Sequence, residues 1–554
     1  MNRARSTKAG VPWLVGIGSA AATLLLLLLT NRAIGVTWDE PVYNTTAEAA
    51  ARWLGLIARG ELSQAFDPFT FGVSWGLANE HPPLMRMVNG LGWALTRDLL
   101  PVPTSHRFGG LVLAALAIGT LVTAQARLHG LAVGLFTGAI LLTMPRVFFH
   151  AHLAALDFPL AALWLLATLG FYTATTNPRW WSPLMMGTGL GLALLTKINA
   201  VLLIPYWALW LFVFRRERRA FVVFLLSLVI GLLVLVAGWP WIWKDPLGGL
   251  VNWVRFFQVH FDIGQWFAGS FYVKTPWYAP FLITAITVPI GALALAVFGT
   301  GHGWWRFLRG KAPGRGGTED GGGAIDRARH PLEYDALHLF GLLITLGYYA
   351  LPVTSLHDQE RLLLPAFVHL AALAGRGFAA LLSWVRHHMA WPVLAGLFLA
   401  PGIIGIVQTH PFELCYYNAL TGGPAGARRL GMETIYFAST YSYFLPELNR
   451  LPTGSALWVV PNSWDVLYYY QIHGLLRRDL VLLRPPGWGS FYDGLGVPHA
   501  VGGINDADYA LIERRQTGFA KAVASGAVAW IAGKPEIARL ERAGVVLATL
   551  HSAE

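Results

Sequence analysis

The sequence predicts a mainly α, multi-pass membrane protein that ends in a small soluble α/β domain. Three observations predict it. Of 554 residues, 55% are hydrophobic and only 13% charged, a balance found in integral membrane chains rather than in strings of soluble domains. Up to about residue 410 the apolar residues gather into runs of membrane-spanning length, and beyond about 430 the runs shrink to strand length. The formal charge of +11 sits in short segments between the runs, not on a basic face with aromatic platforms, so it reads as a topology signal and excludes nucleic acid as a partner.

Arg3, Arg5 and Lys8 precede the first run, residues 11–30, in the manner of a signal peptide. That run is long enough to span, and no small-residue cleavage site follows it. A hydrocarbon core of about 30 Å takes roughly 20 helical residues, which gives about eleven candidate spans. They lie near 11–31, 107–126, 131–149, 155–175, 183–198, 199–214, 219–239, 277–299, 336–353, 362–382 and 391–409. A cytoplasmic N-terminus then places Arg127, the Arg215-Arg216-Glu217-Arg218-Arg219 block, the segment from Arg306 to Arg315 and the Arg386-His387-His388 turn inside. Segments 32–106 and 240–276 and the C-terminal domain fall outside, that is, in the periplasm or on the outer face of the cell membrane.

Segment 32–106 holds Asp39, Glu40, Glu48, Glu61, Asp67, Glu80 and Asp98. Its stretches 46–57 and 85–95 read as amphipathic helices lying on the membrane surface. Residues 310–330 are Gly-rich and charged, as in a disordered cytoplasmic loop. The chain thus divides into a membrane domain, 1–429, and an outer α/β domain, 430–554, with strands expected at 456–460, 480–483, 509–512 and 545–550. Cys415 is the single cysteine and rules out an intramolecular disulfide or a Cys-based metal cage.

The candidate chemistry begins at Thr37-Trp38-Asp39-Glu40-Pro41. An exposed acid pair beside the bilayer suits a general base, and a helix start stabilised by the macrodipole accounts for it equally well. Asp157, in Leu156-Asp157-Phe158-Pro159, stands at the mouth of a span, where an ionisable group is a functional candidate and an N-cap is the plain alternative. Glu80 and His81, in Asn79-Glu80-His81-Pro82-Pro83, can share a divalent ion, but two residues define no metal site and a capped turn explains them. Lys197, Arg361 and Arg107 lie close to hydrocarbon. Each has a lipid phosphate or simple snorkelling as its reading.

Other patterns carry less. Asp506-Ala507-Asp508 has a metal-binding spacing by chance, and His150-Ala151-His152 reads as interfacial polar groups. Gly187-x-x-x-Gly191 is a helix-packing pattern. The tryptophans of Trp239-Pro240-Trp241-Ile242-Trp243 read as an interfacial belt.

The ordered set Asp39-Glu40, His81-Pro82-Pro83-Leu84, Asp157, Leu195-Thr196-Lys197, Thr275-Pro276-Trp277-Tyr278 and Arg361-Leu362-Leu363-Leu364-Pro365 resembles the polyprenyl-phosphate-sugar glycosyltransferases of the GT-C fold. Within that fold it is similar to the protein O-mannosyltransferase-like and lipid A aminoarabinose-transferase-like group. The segment from His410-Pro411-Phe412-Glu413 to Thr421-Gly422-Gly423-Pro424 resembles a junction in bacterial members. The resemblance covers roughly 30–430. It implies a hexosyl- or pentosyltransferase that takes a sugar from a polyprenyl phosphate to a protein, lipid or glycan acceptor. Asp39 then stands in the catalytic acid position and Asp157 in the second acidic one, with Glu80 and His81 beside the His-Pro-Pro turn and Lys197 and Arg361 near the lipid phosphate. No cofactor beyond an optional divalent ion is implied. A multi-pass transporter or flippase is the alternative class, but no internal repeat is visible and the acids gather in loops rather than mid-span.

Overall fold

The computed structural model describes residues 2–258, 263–308, 331–385, 387–493, 498–519 and 522–554. The expected loop at 310–330 and Arg386 lie outside them. Among the described residues six helices are long and apolar enough to cross a membrane: Gly10–Asn31, Thr104–His129, Asp157–Thr176, Arg218–Ala237, Arg361–Leu382 and His388–Thr409. Two further apolar runs are bent pairs, Leu131–Leu142 with Pro145–Ala151 at 80°, and Ala279–Thr287 with Ile290–Trp305 at 117°. Both breaks sit at a proline, Pro145 or Pro289, which removes a backbone donor and turns the preceding residue away from helical geometry. By length and composition the count among the described residues is therefore six, or up to eight with the bent pairs, against the eleven expected. The runs at 183–198 and 199–214 form the shorter helices Ser182–Leu194 and Ile198–Phe214, and the run at 336–353 lies mostly in Pro331–Tyr349.

Small residues set the close helix crossings. A Cβ on Gly191 would stand 2.8 Å from the Gly231 carbonyl oxygen, and one on Gly299 would stand 2.5 Å from the Gly377 nitrogen. Backbones approach this closely only where side chains are missing, so the Gly187-x-x-x-Gly191 pattern packs as expected. The junction segment has a mechanical role at one bend. Asn418 Nδ2 donates to the carbonyls of Ala285 and Val288, both at 2.7 Å, and its backbone N–H donates to that of Ile286 at 2.9 Å. These bonds satisfy the carbonyls freed where the helix Ala279–Thr287 ends.

The two stretches read as amphipathic form the helices Glu40–Ala58 and Leu84–Thr96. The four expected C-terminal strands also appear, joined by two that were not expected, His499–Val501 and Glu536–Arg542. In chain order the strands are β1 (Gln265–Phe267), β2 (Ser270–Tyr272), β3 (Ala456–Val460), β4 (Val481–Arg484), β5 (His499–Val501), β6 (Tyr509–Glu513), β7 (Glu536–Arg542) and β8 (Val545–Ser552). β1 and β2 form a separate hairpin, and the other six form one sheet in the order β5-β4-β3-β6-β8-β7. Its β5-β4-β3-β6 half is parallel, and β8 and β7 close it antiparallel.

One apolar core joins this sheet to the helical domain. Leu457, Leu482 and Leu511 from the strands pack in the same cluster as Ile34, Val36, Phe149, Leu153 and Phe412. The C-terminal domain is thereby seated against the loop that carries Asp39. Asp506 and Asp508 hold local backbone: Asp506 accepts from the Gly503 N–H of its own turn at 2.7 Å, and Asp508 from the Ala456 N–H at the start of a strand at 2.8 Å. The Trp239–Trp243 belt splits, with Trp239 buried on Trp253 and Trp241 and Trp243 exposed near Phe71 and Trp53.

Candidate active site

Asp39 immediately precedes the helix Glu40–Ala58, and Asp157 opens the helix Asp157–Thr176, yet neither side chain caps its helix. Both reach across to cations instead, which removes the N-cap explanation for Asp157. Lys197 sits in the extended residue between Ser182–Leu194 and the short 3-10 turn Ile198–Leu202. Arg361 begins the turn that leads into Leu364–Leu382.

The four side chains converge. Lys197 Nζ donates to Asp157 Oδ1 at 2.6 Å, and Arg361 Nε donates to Asp157 Oδ2 at 2.5 Å. Arg361 also pairs with Asp39 through Nη2 and with Asp358 through Nη1, the latter at 3.1 Å. Arg515 then reaches Asp358 Oδ1 at 2.7 Å from the loop after β6. The Arg361 guanidinium lies 4.4 Å from the centre of the Phe437 ring, a cation–π contact that fixes its plane. Asp358 and Gln359 both hold positive φ, 51° and 54°, a backbone conformation costly for residues other than glycine and here held by the surrounding bonds.

The two acids differ in exposure. The Asp157 side chain is 2% exposed and gives one oxygen to each cation, whereas that of Asp39 is 22% exposed. Burial pushes the Asp39 carboxyl above the usual aspartate value, opposed by Arg361 and reinforced by the Asp157 and Asp358 charges. Asp39 is therefore the more accessible carboxylate, and Asp157 the one bonded to both cations. Among the described residues Lys197 and Arg361 keep spare N–H donors: the three bonds of Arg361 use three of its five, and Lys197 uses one of three.

His81 lies beside this cluster, with its ring edge-on to Tyr43 at 6.4 Å. Burial, then the nearby Lys197, lowers its pKa to about 3, so it stays neutral. Glu80 is half-buried and makes no ion pair among the described residues. Nor do Glu80 and His81 belong to any trio of His, Cys, Asp or Glu ligand atoms within 4.8 Å of one another among those residues. His150 and His152 also go separate ways, to Tyr436 at 3.1 Å and to Thr30 at 2.8 Å.

Two expectations need correction. Glu40 is fully buried, not exposed beside Asp39. Arg107, read as a phosphate ligand, is its partner. It donates Nε to Glu40 Oε1 and Nη2 to Glu40 Oε2, both at 2.7 Å, and its other N–H groups go to Gly35, Ile34 and Asn31. All five donors are spent, leaving none for a phosphate. Burial alone would raise the Glu40 carboxyl, but Arg107 holds it below the usual range. Glu40 also accepts from the Ala154 and Thr37 N–H groups, so the pair locks the Asp39 loop to the turn before Asp157.

Sequence reasoning missed Asp358, Arg515 and Tyr43. For Asp358 a signal existed, since it lies three residues before Arg361 in His357-Asp358-Gln359-Glu360-Arg361. Arg515 gave none, because its site partner is 157 residues away.

A helical membrane domain, an acid–base cluster at the ends of its helices and a seated α/β domain make up a fold of the ArnT type. Residues 80–243 match the family model described as dolichyl-phosphate-mannose-protein mannosyltransferase. Two crystal structures of ArnT from Cupriavidus metallidurans share the fold. The apo form has a TM-score of 0.52 at 16% identity, covering 99% of this chain and 98% of its own. The form bound to undecaprenyl phosphate has a TM-score of 0.50 at 14% identity, covering 98% of both chains. A comparison with curated protein sequences gives no significant match.

Proposed function

We propose that this membrane protein transfers a sugar from a polyprenyl-phosphate donor to an acceptor hydroxyl on the outer face of the membrane. The observation that carries the reading is the convergence of Asp39, Asp157, Lys197 and Arg361 from four separate segments. The match of residues 80–243 and the bound undecaprenyl phosphate of the ArnT relative support the donor class.

The chemistry follows from the residue types. A lipid phosphate leaves with growing negative charge, which Lys197 and Arg361 meet with their spare donors. Asp157 holds both cations in place. Asp39 takes the proton of the acceptor hydroxyl as its oxygen attacks the anomeric carbon opposite the departing phosphate oxygen, so the configuration inverts without a covalent sugar–enzyme intermediate. His81 stands beside the cluster as a neutral imidazole with Glu80 preceding it in the same turn, and no step requires a metal there. Protein, lipid and glycan hydroxyls are all compatible acceptors.

The test is to offer purified full-length protein a panel of polyprenyl-phosphate sugars with mixed acceptors, and to follow free polyprenyl phosphate and product mass. Release of the lipid phosphate together with a glycosylated product is expected. A protein that moves the intact donor across vesicles without cleaving it would instead be a flippase.

A further inference from the structure

Away from the Asp39 cluster, three ligating side chains from three separate elements meet. Glu48 comes from the helix Glu40–Ala58, His106 from Thr104–His129, and His473 from the end of Trp464–Ile472 in the C-terminal domain. One ligand atom from each lies within 4.8 Å of the others, and Glu48 Oε1 is 3.0 Å from His106 Nε2. Two ligands bound at about 2.1 Å in a tetrahedral shell stand roughly 3.4 Å apart, so little movement would bring all three onto one ion.

The surroundings fit that use. His106 is fully buried, and its Nδ1 lies 3.0 Å from the Tyr469 hydroxyl, the outer-shell contact that orients a ligating imidazole. The His106 and His473 rings stand edge to face with centres 5.6 Å apart. Among the described residues the His473 ring nitrogens have no hydrogen-bond partner, although a carboxylate and a second imidazole stand beside them. Arg52 pairs with the other Glu48 oxygen at 2.5 Å from a 67% exposed position, leaving Oε1 for the cluster.

We infer that Glu48, His106 and His473 bind a divalent transition-metal ion of the zinc class that pins the C-terminal domain to the helical domain. Two imidazoles and one carboxylate select zinc or cobalt over magnesium or calcium, which prefer all-oxygen shells. The place suits a structural ion. His106 adjoins Arg107, which grips Glu40, and Glu48 shares a helix with Glu40. An ion here would fix the two helices that present Asp39, without touching the Asp39 cluster itself.

The experiment uses full-length, tag-free protein in detergent, stripped by chelator and then equilibrated with zinc alone. About one zinc per chain is expected in the wild type, and about a tenth of that in His473→Ala and Glu48→Gln, by elemental analysis after desalting. Cobalt added to the stripped wild type should give the visible absorption of a tetrahedral nitrogen–oxygen site, and this readout needs no variant to fold. A wild type that retains no zinc and gives no cobalt bands overturns the inference, as does undiminished zinc in both folded variants.

Discussion

Arg361 and Asp39 are 322 residues apart in the chain and form a direct ion pair. The same guanidinium holds Asp157 and Asp358, so one side chain joins three carboxylates drawn from three segments. Removing it would leave several partly buried acids facing one another.

Arg361→Ala is therefore expected to lower stability by about 3–5 kcal/mol, the cost of orphaning buried acids, and to abolish transfer. Arg361→Lys keeps the charge but loses the planar fork, so it should fold and show a raised donor KM. Thermal unfolding in detergent and donor titrations separate the two effects. A fully active Arg361→Ala protein would contradict the arrangement.

The raised pKa of Asp39 predicts an acid limb in the pH–rate profile. A base works only when deprotonated, so activity should rise with pH through a midpoint above the ordinary aspartate value of 3.8. Asp358 contributes to that upward shift and competes for Arg361. Asp358→Asn should accordingly move the limb to lower pH, and an unmoved or raised midpoint would count against Asp39 as the titrating group.

Glu40→Gln breaks the buried pair with Arg107 and leaves a cation unpaired, with an expected loss of about 3–5 kcal/mol. Since neither residue has a donor free for substrate, the fraction that folds should keep its donor KM. A raised KM at unchanged melting temperature would restore Arg107 to the phosphate site.

Much of this was legible in the sequence. Asp39, Asp157, Lys197 and Arg361 interrupt apolar surroundings, and charge beside hydrocarbon needs a partner, so each stood out singly. The four main sheet strands were readable because each is a short apolar run of strand length, buried along almost its whole length. The bends at Pro145 and Pro289 were not, because the runs around them stay apolar and hydropathy averages over a turn. The pairing of Arg107 was hidden for another reason: a buried Arg–Glu lock and a ligand-binding arginine look alike until the acceptors are located.

The central claim is that Asp39 is the base of a lipid-linked sugar transfer, and Asp39→Asn tests it most directly. Asparagine keeps the size and a hydrogen-bonding oxygen toward Arg361 but cannot accept the proton. The measurement is the rate of polyprenyl-phosphate release from a cognate donor by purified wild-type and variant proteins with matched melting curves. A fall of about 10²–10⁴-fold at unchanged donor affinity is the predicted result. Transfer at a near wild-type rate by a folded Asp39→Asn protein would contradict it.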